Sequence, residues 1–178
     1  MREGHAQRLS QVHGLGVDDR AETEPARFCR ALPVEVQALV VKTQAPMPRR
    51  VVNGVDGSRV AMLLAVLERR AGLGLSSFDV YVSTVGGIRL VEPGADLAIA
   101  LAIASAFRDK AFPVTQAAVG EISLAGEIRP ASSSKQRVTE AKRLGFSTVI
   151  DAEALHLREA LRLAFASSVV EKIDIPDF

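Results

Sequence analysis

The residue whose position most suggests chemistry is Lys135. It follows the run Ser132-Ser133-Ser134 just inside the predicted start of a helix, near the positive end of the helix dipole, where an acid is favoured. A lysine in that position should lose some of its preference for the charged state, or it can join the free helix N–H groups in holding an anion. A third interpretation is a solvated surface lysine, because helix ends tolerate an exposed charge at a cost of about 0.3–1 kcal/mol.

Basic residues gather on the same predicted helix and in one earlier loop. On the helix, Lys135, Thr139 and Lys142 share a face because they are four and three residues apart. Cations on such a face neutralise phosphates without reading the base sequence, whereas a plain solvated face would have Glu140 paired with Arg137 or Arg143. The candidate DNA-contacting residues are Lys135, Arg137, Lys142 and Arg143 on the helix, and Arg49 and Arg50 in the loop before it in the chain.

The composition excludes several classes of protein. The chain has 178 residues, 48% of them hydrophobic, and a formal net charge of +1, so nucleic-acid binding must come from a local patch rather than from overall charge. The single cysteine, Cys29, excludes an internal disulfide framework and a cysteine-type zinc site. The longest apolar run, Leu97–Phe107, is too short to cross a bilayer. We therefore expect a cytoplasmic protein without membrane contact.

Residues 1–32 are polar and irregular, and no sustained apolar period runs through them. We expect this segment to be flexible or non-native and the folded domain to occupy residues 33–178. Two of the three histidines, His5 and His13, lie in the N-terminal segment. A mobile tail makes a poor metal site, so we predict no metal.

The candidate lysine must be positioned by the segment Gly120–Phe146, which is predicted to form a strand, a tight turn, a second strand and a helix. Glu121–Leu124 and Glu127–Arg129 carry the β-forming residues, and Ala125-Gly126 between them fits a two-residue hairpin turn. Pro130 ends the second strand.

The helix that follows has its own start and stop signals. The three serines before Lys135 supply N-cap hydroxyls, and Gly145 stands where a left-handed residue ends a helix. Val138, Ala141 and Leu144 are spaced to face a core.

The remaining elements alternate strand and helix. Asp56 is predicted to cap a helix at 57–71, and an almost entirely apolar helix begins at Pro93 and runs to about Lys110. Strands are predicted at 34–41, 51–52, 78–84, 88–91 and 146–150, and a last helix from Asp151 to about Phe165. One hairpin among alternating elements predicts a mixed sheet packed with helices.

Several stretches together resemble the C-terminal domain of the RadA (Sms) family of bacterial DNA repair proteins, a domain that is itself similar to the proteolytic domain of Lon. They are VEVQALV, RRVVNG followed by RVAMLLAVLERRAGL, DVYVSTVGGIRLVEPGADLAIALAIASAFRD, GEISLAGEIRP and KRLGF. The resemblance covers roughly residues 32–163. It implies an α/β (α+β) fold of the ribosomal protein S5 domain 2-like type that Lon-type proteases share.

The resemblance also assigns the two positions of a catalytic dyad. Lon-type proteases use a serine and a lysine, and Lys135 falls at the position of the lysine. The serine belongs in the segment that opens the central helix, here Pro93-Gly94-Ala95-Asp96, with Gly94 in place of the nucleophile. A lysine activates only a hydroxyl within hydrogen-bond reach, and glycine has none. We therefore expect no peptidase activity and no catalytic residue.

Full-length members of the family combine a zinc ribbon, a RecA-type ATPase and this domain, which implies a DNA-dependent ATPase for the whole protein. This chain has neither a Walker A phosphate loop nor a cysteine pair. ATP and zinc are thus expected only in full-length members, and the chain is expected to be an excised domain or a stand-alone product.

The function that the resemblance implies is non-catalytic. The domain would form a ring, expected to be hexameric, and contact duplex or branched DNA during recombinational repair and branch migration. A RecA-type recombinase is a further expected partner. Two alternatives stay open, namely a Ser–Lys peptidase of the Lon type and a scaffold that only oligomerises.

Overall fold

The computed structural model describes residues 10–17 and 31–166. Eight strands and four α-helices occupy these ranges. The strands are β1 Ser10–Val17, β2 Ala31–Lys42, β3 Arg50–Asn53, β4 Phe78–Thr84, β5 Gln116–Ala118, β6 Glu121–Ile122, β7 Ile128–Arg129 and β8 Thr148–Ile150. The helices are α1 Gly57–Ala71, α2 Asp96–Arg108, α3 Ser134–Arg143 and α4 Leu157–Ala166.

Six of the strands form one mixed sheet, which confirms the predicted fold class. Their order is β3-β4-β2-β1-β5-β8. Strand β2 runs antiparallel to both of its neighbours, while β3 is parallel to β4, and β5 is parallel to β1 and β8. Within this sheet, all strands except β2 therefore point the same way. Strands β6 and β7 form a separate antiparallel hairpin.

The prediction that residues 1–32 are flexible or non-native is wrong for residues 10–17. These residues form β1, which pairs with β2 over its whole length and with β5 on the other side, and Val12 in it is fully buried. The strand escapes a pattern search because Gly14 interrupts it at the point where α2 crosses. A Cβ on Gly14 would lie 3.0 Å from the Cβ of Ala98, so a larger residue would push the helix away. Residues 1–9 and 18–30, with His5, lie outside the described residues.

The main core lies on one face of the sheet, against α1, α2 and α4. Every residue of α2 from Asp96 to Ser105 is buried, because the helix is covered by the sheet below and by helices at its sides. This confirms the interpretation of the apolar segment as a central helix. Its alanines permit the close approach, since a small side chain lets backbones come together.

Of the four described helices, α3 is the one that lies on the opposite face of the sheet. Neighbouring residues of a strand point to opposite faces, and accordingly Ala118 belongs to the main core while Ala117 packs in a second cluster with Val119 and Ala141 of α3. Helix α3 contacts β8 and β2. The fold therefore separates α3 from the main core by the thickness of the sheet.

Local signals around α1 and the hairpin are confirmed, with one difference. The Asp56 carboxylate accepts a hydrogen bond from the N–H of Arg59 at 2.8 Å, and Gly72 ends the helix with φ of 73°. The hairpin exists, but its turn is longer than two residues, because the N–H of Gly126 bonds to Ser123 and the strands hold two residues each.

The start and end of α3 differ from the prediction. Ser133 precedes the helix with φ of 53°, and its side chain makes no capping hydrogen bond. Leu144, which was predicted to face the core, is 47% exposed. Gly145 has the predicted left-handed conformation, with φ of 97°. Within the described residues, no helix is both long and apolar enough to span a membrane.

Candidate functional site

The segment that opens α2 is held tightly in place by its backbone. Pro93–Ala95 form a turn of 3₁₀ helix that leads into the helix. The N–H of Gly120 donates to the carbonyl of Gly94 at 2.9 Å, and the N–H of Leu97 donates to the carbonyl of Gly120 at 3.1 Å. This pair of bonds ties the start of α2 to the chain entering the hairpin, and Gly94 is buried between them.

The space beside Gly94 is filled by two residues of the α3 region. A Cβ built on Gly94 would lie 2.8 Å from the Cβ of Ala131 and 3.3 Å from Nη1 of Arg137. The first distance is shorter than Cβ contacts allow, and an alanine methyl cannot swing aside. A serine at position 94 would therefore require the backbone around Ala131 to move.

Arg137 is fully engaged beside this segment, so the prediction that it contacts DNA is wrong. Its side chain is 1% exposed, and Nη1 and Nη2 bind the two carboxylate oxygens of Glu92 at 2.5 and 2.6 Å. Nε donates to the carbonyl of Ser132 at 2.8 Å. A two-pronged guanidinium–carboxylate pair of this kind is strong and directional. Arg137 points inward because it shares the buried side of α3 with Ala141, four residues on.

A second arginine–carboxylate pair holds the same segment from the other side. Asp96 is buried, and its carboxylate accepts from Nε of Arg59 at 2.7 Å, from Nη2 of Arg59, and from the N–H of Ile122 at 3.0 Å. Burial raises the pKa of the Asp96 carboxyl, because loss of water outweighs the stabilisation that Arg59 and the Ile122 N–H give to the charged form. The Asp96 hydrogen bond in turn raises the pKa of Arg59.

Sequence reasoning missed both pairs. From the sequence, no partner was assigned to Arg59 or to Asp96. The only available signal was that two carboxylates, Glu92 and Asp96, flank Gly94 at a spacing of four residues. Their partners lie on α1 and α3, far apart in the chain, so only the tertiary structure identifies them.

Lys135 lies on the solvent side of α3 and not in the space beside Gly94. Lys135 and Lys142 are exposed, as is Thr139 between them, and the Thr139 hydroxyl donates to the Lys135 carbonyl at 2.9 Å. Among the described residues, neither lysine forms an ion pair. The shared face predicted for these residues is therefore present, with two free ammonium groups.

The other predicted basic residues are less available. Arg143 binds Glu140 through two hydrogen bonds of 2.9 and 2.6 Å, as one of the alternatives anticipated. The Arg50 guanidinium donates to the backbone carbonyls of Leu75 and Phe78. Arg49 keeps an exposed side chain, while its N–H donates to the Asp79 carboxylate at 2.6 Å.

The two groups of basic residues do not form one surface. Arg49 and Arg50 lie at β3, which is one edge of the sheet, whereas α3 contacts β8 at the other edge and β2 in the interior of the sheet. Four strands lie between β3 and β8. For metals, the described residues contain no cluster of three or more histidine, cysteine or acidic side chains. His13 instead packs against the Phe146 ring, with 5.2 Å between ring centres.

Comparison with known proteins identifies relatives for most of this structure. Residues 76–169, which include Gly94, Lys135 and Arg137, match the model of the Lon protease (S16) C-terminal proteolytic domain. The chain is 52% identical over 149 residues to the DNA repair protein RadA of Mycolicibacterium smegmatis. It is 47% and 46% identical, over 121 residues, to the DNA repair proteins RadA of Salmonella typhimurium and Bacillus subtilis.

These alignments cover 80%, 68% and 68% of the chain, but only 32%, 26% and 26% of the relatives. The chain thus spans about a third or less of the length of the curated relatives it matches.

Proposed function

The chain belongs to the family of the Lon protease (S16) C-terminal proteolytic domain, and from this premise we propose that it acts as a non-catalytic module of a RadA-type DNA repair protein. In this role it assembles into a ring and holds duplex or branched DNA during the processing and branch migration of recombination intermediates. The high identity to DNA repair proteins named RadA supports this assignment.

The observation that carries the proposal is the filled space at Gly94. A Ser–Lys dyad needs a hydroxyl within hydrogen-bond reach of an amine. Here the position has no side chain, Ala131 and Arg137 occupy the space around it, and Glu92 and Asp96 fix the backbone on both sides. Among the described residues, no hydrogen bond joins a serine hydroxyl to the Lys135 amine. The region that corresponds to the catalytic site of Lon-type proteases has a structural role in this chain.

The DNA contact is assigned to the exposed face of α3. Lys135 and Lys142 project into solvent with no carboxylate partner in the described part of the chain, and Arg49 contributes from a separate site. Ammonium groups placed this way bind phosphates as point charges and do not distinguish bases. We therefore propose binding that depends on backbone charge and not on sequence.

A titration of duplex DNA at about 50 mM and about 200 mM salt tests this assignment. Lys135→Ala and Lys142→Ala should each weaken binding similarly for all sequences and lower the salt slope by about one. Lys110→Ala, which changes an exposed lysine outside α3, is the matched control. Equal affinity for all three variants and the unchanged chain would remove α3 from the DNA-binding surface.

The competing peptidase function has its own test. Incubation with an unfolded protein substrate should give no cleavage. Cleavage that disappears in Lys135→Ala would overturn the non-catalytic assignment, because it would require a hydroxyl near that amine.

Assembly and cofactors complete the proposal. Light scattering should detect a ring, which we propose to be hexameric; a ring that binds no DNA even at low salt would support the purely oligomerising scaffold. We assign ATP and zinc to other parts of full-length RadA-type proteins, and a RecA-type recombinase is the further partner we propose.

A further inference from the structure

We propose that neighbouring copies join edge to edge, with β3 of one copy adding in parallel to β8 of the next. The inference rests on the proposed ring assembly and specifies its interface. Among the described strands, β3 and β8 are the two edges of the main sheet. Edge strands carry unpaired backbone groups that can pair with another chain.

The directions of the two edges suit a ring. Strand β2 runs antiparallel to both of its neighbours, and the other neighbouring pairs in the sheet are parallel. The edge strands β3 and β8 therefore run in the same direction. A contact between two different surfaces of the same molecule is head-to-tail, and such a contact closes into a ring when the rotation between copies permits. The same contact repeated around the ring leaves no edge open.

The backbone groups at the two edges are complementary. On β8, the N–H of Thr148 and the carbonyl of Ile150 bond toward β5, so the N–H and carbonyl of Val149 between them face outward. On β3, the Arg49 carbonyl bonds to β4, and the alternation along the strand directs the groups of Arg50 and Val52 outward. Val149 can therefore donate to the Arg50 carbonyl and accept from the Val52 N–H of the next copy.

This register also places apolar side chains on one face. It sets Val149 opposite Val51 of the next copy. The side chain of Val51 is 49% exposed. It points to the face of the sheet that is not the face of Val52, which packs on the main core. Val149 packs with the α3 cluster on that same second face. Pairing would continue the apolar row of the sheet and cover Val51.

Hydrogen-bond acceptors collect beside β8. A cavity of about 440 Å³ there is lined by Gln116, Thr148, Asp151 and Glu153, among others. Gln116 is 7% exposed, and within residues 10–17 and 31–166 its Oε1 atom has no hydrogen-bond partner, although buried polar atoms nearly always have one. A neighbour that brings donors would complete this site.

Side chains with N–H donors lie at the matching positions of β3. In the proposed register Asn53 lies opposite Asp151. Arg50, whose guanidinium also donates to the carbonyls of Leu75 and Phe78 within its own chain, lies opposite Thr148, in the same row as Gln116. Beyond Asn53 the outer edge of β3 is closed, because the N–H of Leu90 donates to the carbonyl of Gly54 at 2.8 Å. This contact brings exposed Arg89 to the end of the strand, where Glu153 of the next copy would meet it.

Disulfide trapping tests the register. In chains with Cys29→Ser, Val51→Cys and Val149→Cys are made separately and mixed under mild oxidation. Paired strands lie about 4.8 Å apart, which suits a disulfide, so the mixture should give a cross-linked dimer. Val114→Cys, at a position that is 76% exposed in a loop, replaces Val51→Cys in the control mixture and should give none.

A charge exchange tests the end of the contact. Arg89→Glu and Glu153→Lys should each raise the concentration needed for assembly by about twofold to fivefold, and the double variant should restore it. Arg69→Glu, an exposed arginine on α1, should leave it unchanged. Failure of the double variant to recover would contradict the pairing.

The outcomes separate this interface from the wider function. Assembly without the cross-link would overturn the edge pairing and leave the ring and its DNA binding standing. If the Val149 amide is protected from hydrogen exchange in dilute monomer, another part of the same chain covers β8 and the interface is wrong. Protection that appears only with assembly supports it.

Discussion

At the scale of single residues, the side chains beside Gly94 determine whether any open space remains there. An open pocket next to Gly94 would have been possible. Instead Arg137 enters from α3 and binds Glu92 at 2.5 and 2.6 Å, while Lys135, two residues earlier, points to solvent. Residues that are two positions apart on a helix point in directions about 200° apart. Because Arg137 faces inward, Lys135 must face outward.

Gly94→Ser should not restore a peptidase and should destabilise the fold. The new Cβ would meet the Ala131 methyl at 2.8 Å, and overpacking of this kind costs about 1–3 kcal/mol. Denaturant unfolding measures the loss. Gly74→Ser is the control, since a Cβ there meets nothing within 4 Å. A Gly94→Ser protein as stable as the unchanged chain would show that the space is not filled.

The stability contribution of Asp96 should fall as pH rises through the acidic range. Because its pKa is raised in the folded state, the folded protein holds this proton at pH values where the unfolded chain has released it. The free energy of unfolding then decreases with rising pH between the ordinary aspartate pKa and the raised one. The difference in stability between the unchanged chain and Asp96→Asn, measured by denaturation at several pH values, isolates this group. A difference that grows with pH would mean that Arg59 lowers the pKa of Asp96 by more than burial raises it.

At the scale of elements, the helices differ in how well their orientation could be predicted. Helix α2 is apolar on nearly all sides, and its burial on all sides follows directly. Helix α3 is mostly polar, and Val138, Ala141 and Leu144 were taken as its buried face. The buried face that the structure shows is rotated toward Arg137. An arginine can be buried there because its charge is paired with the Glu92 carboxylate. A periodicity of apolar residues cannot detect such a buried cation.

Leu101→Asp in α2 should unfold the domain. Leu101 is fully buried, and an unpaired buried charge costs roughly 3–5 kcal/mol, a large part of the stability of a typical domain. Circular dichroism and thermal unfolding measure the effect. The same substitution at Leu163, which is 43% exposed on α4, should be tolerated. A folded Leu101→Asp protein would refute the central position of α2.

At the scale of the whole molecule, β1 joins the two halves of the sheet. It lies between β2 and β5, so within the sheet the strands on its two sides are connected by hydrogen bonds through β1, whose residues lie near the start of the chain. Without β1 the sheet would present two new edges in its centre.

Val12→Asp should therefore unfold the protein, although it lies in a segment that composition describes as irregular. Val12 is fully buried in β1, and the reason is the same desolvation of an unpaired charge. Val114→Asp, at an exposed position, is the control. If Val12→Asp left thermal unfolding unchanged, residues 10–17 would not belong to the folded sheet.

The sequence by itself determined the elements whose signals are local. The capped helix α1, the strand β4, the apolar helix α2 and the left-handed Gly145 follow from neighbouring residues, and the family resemblance supplied the fold and the two dyad positions. Only the tertiary structure decided that β1 is central, that Arg137 and Arg59 clamp the segment around Gly94, and that Arg49 is remote from α3. These features depend on contacts between residues far apart in the chain, and such contacts are formed by packing and desolvation, which leave no periodic trace in the sequence.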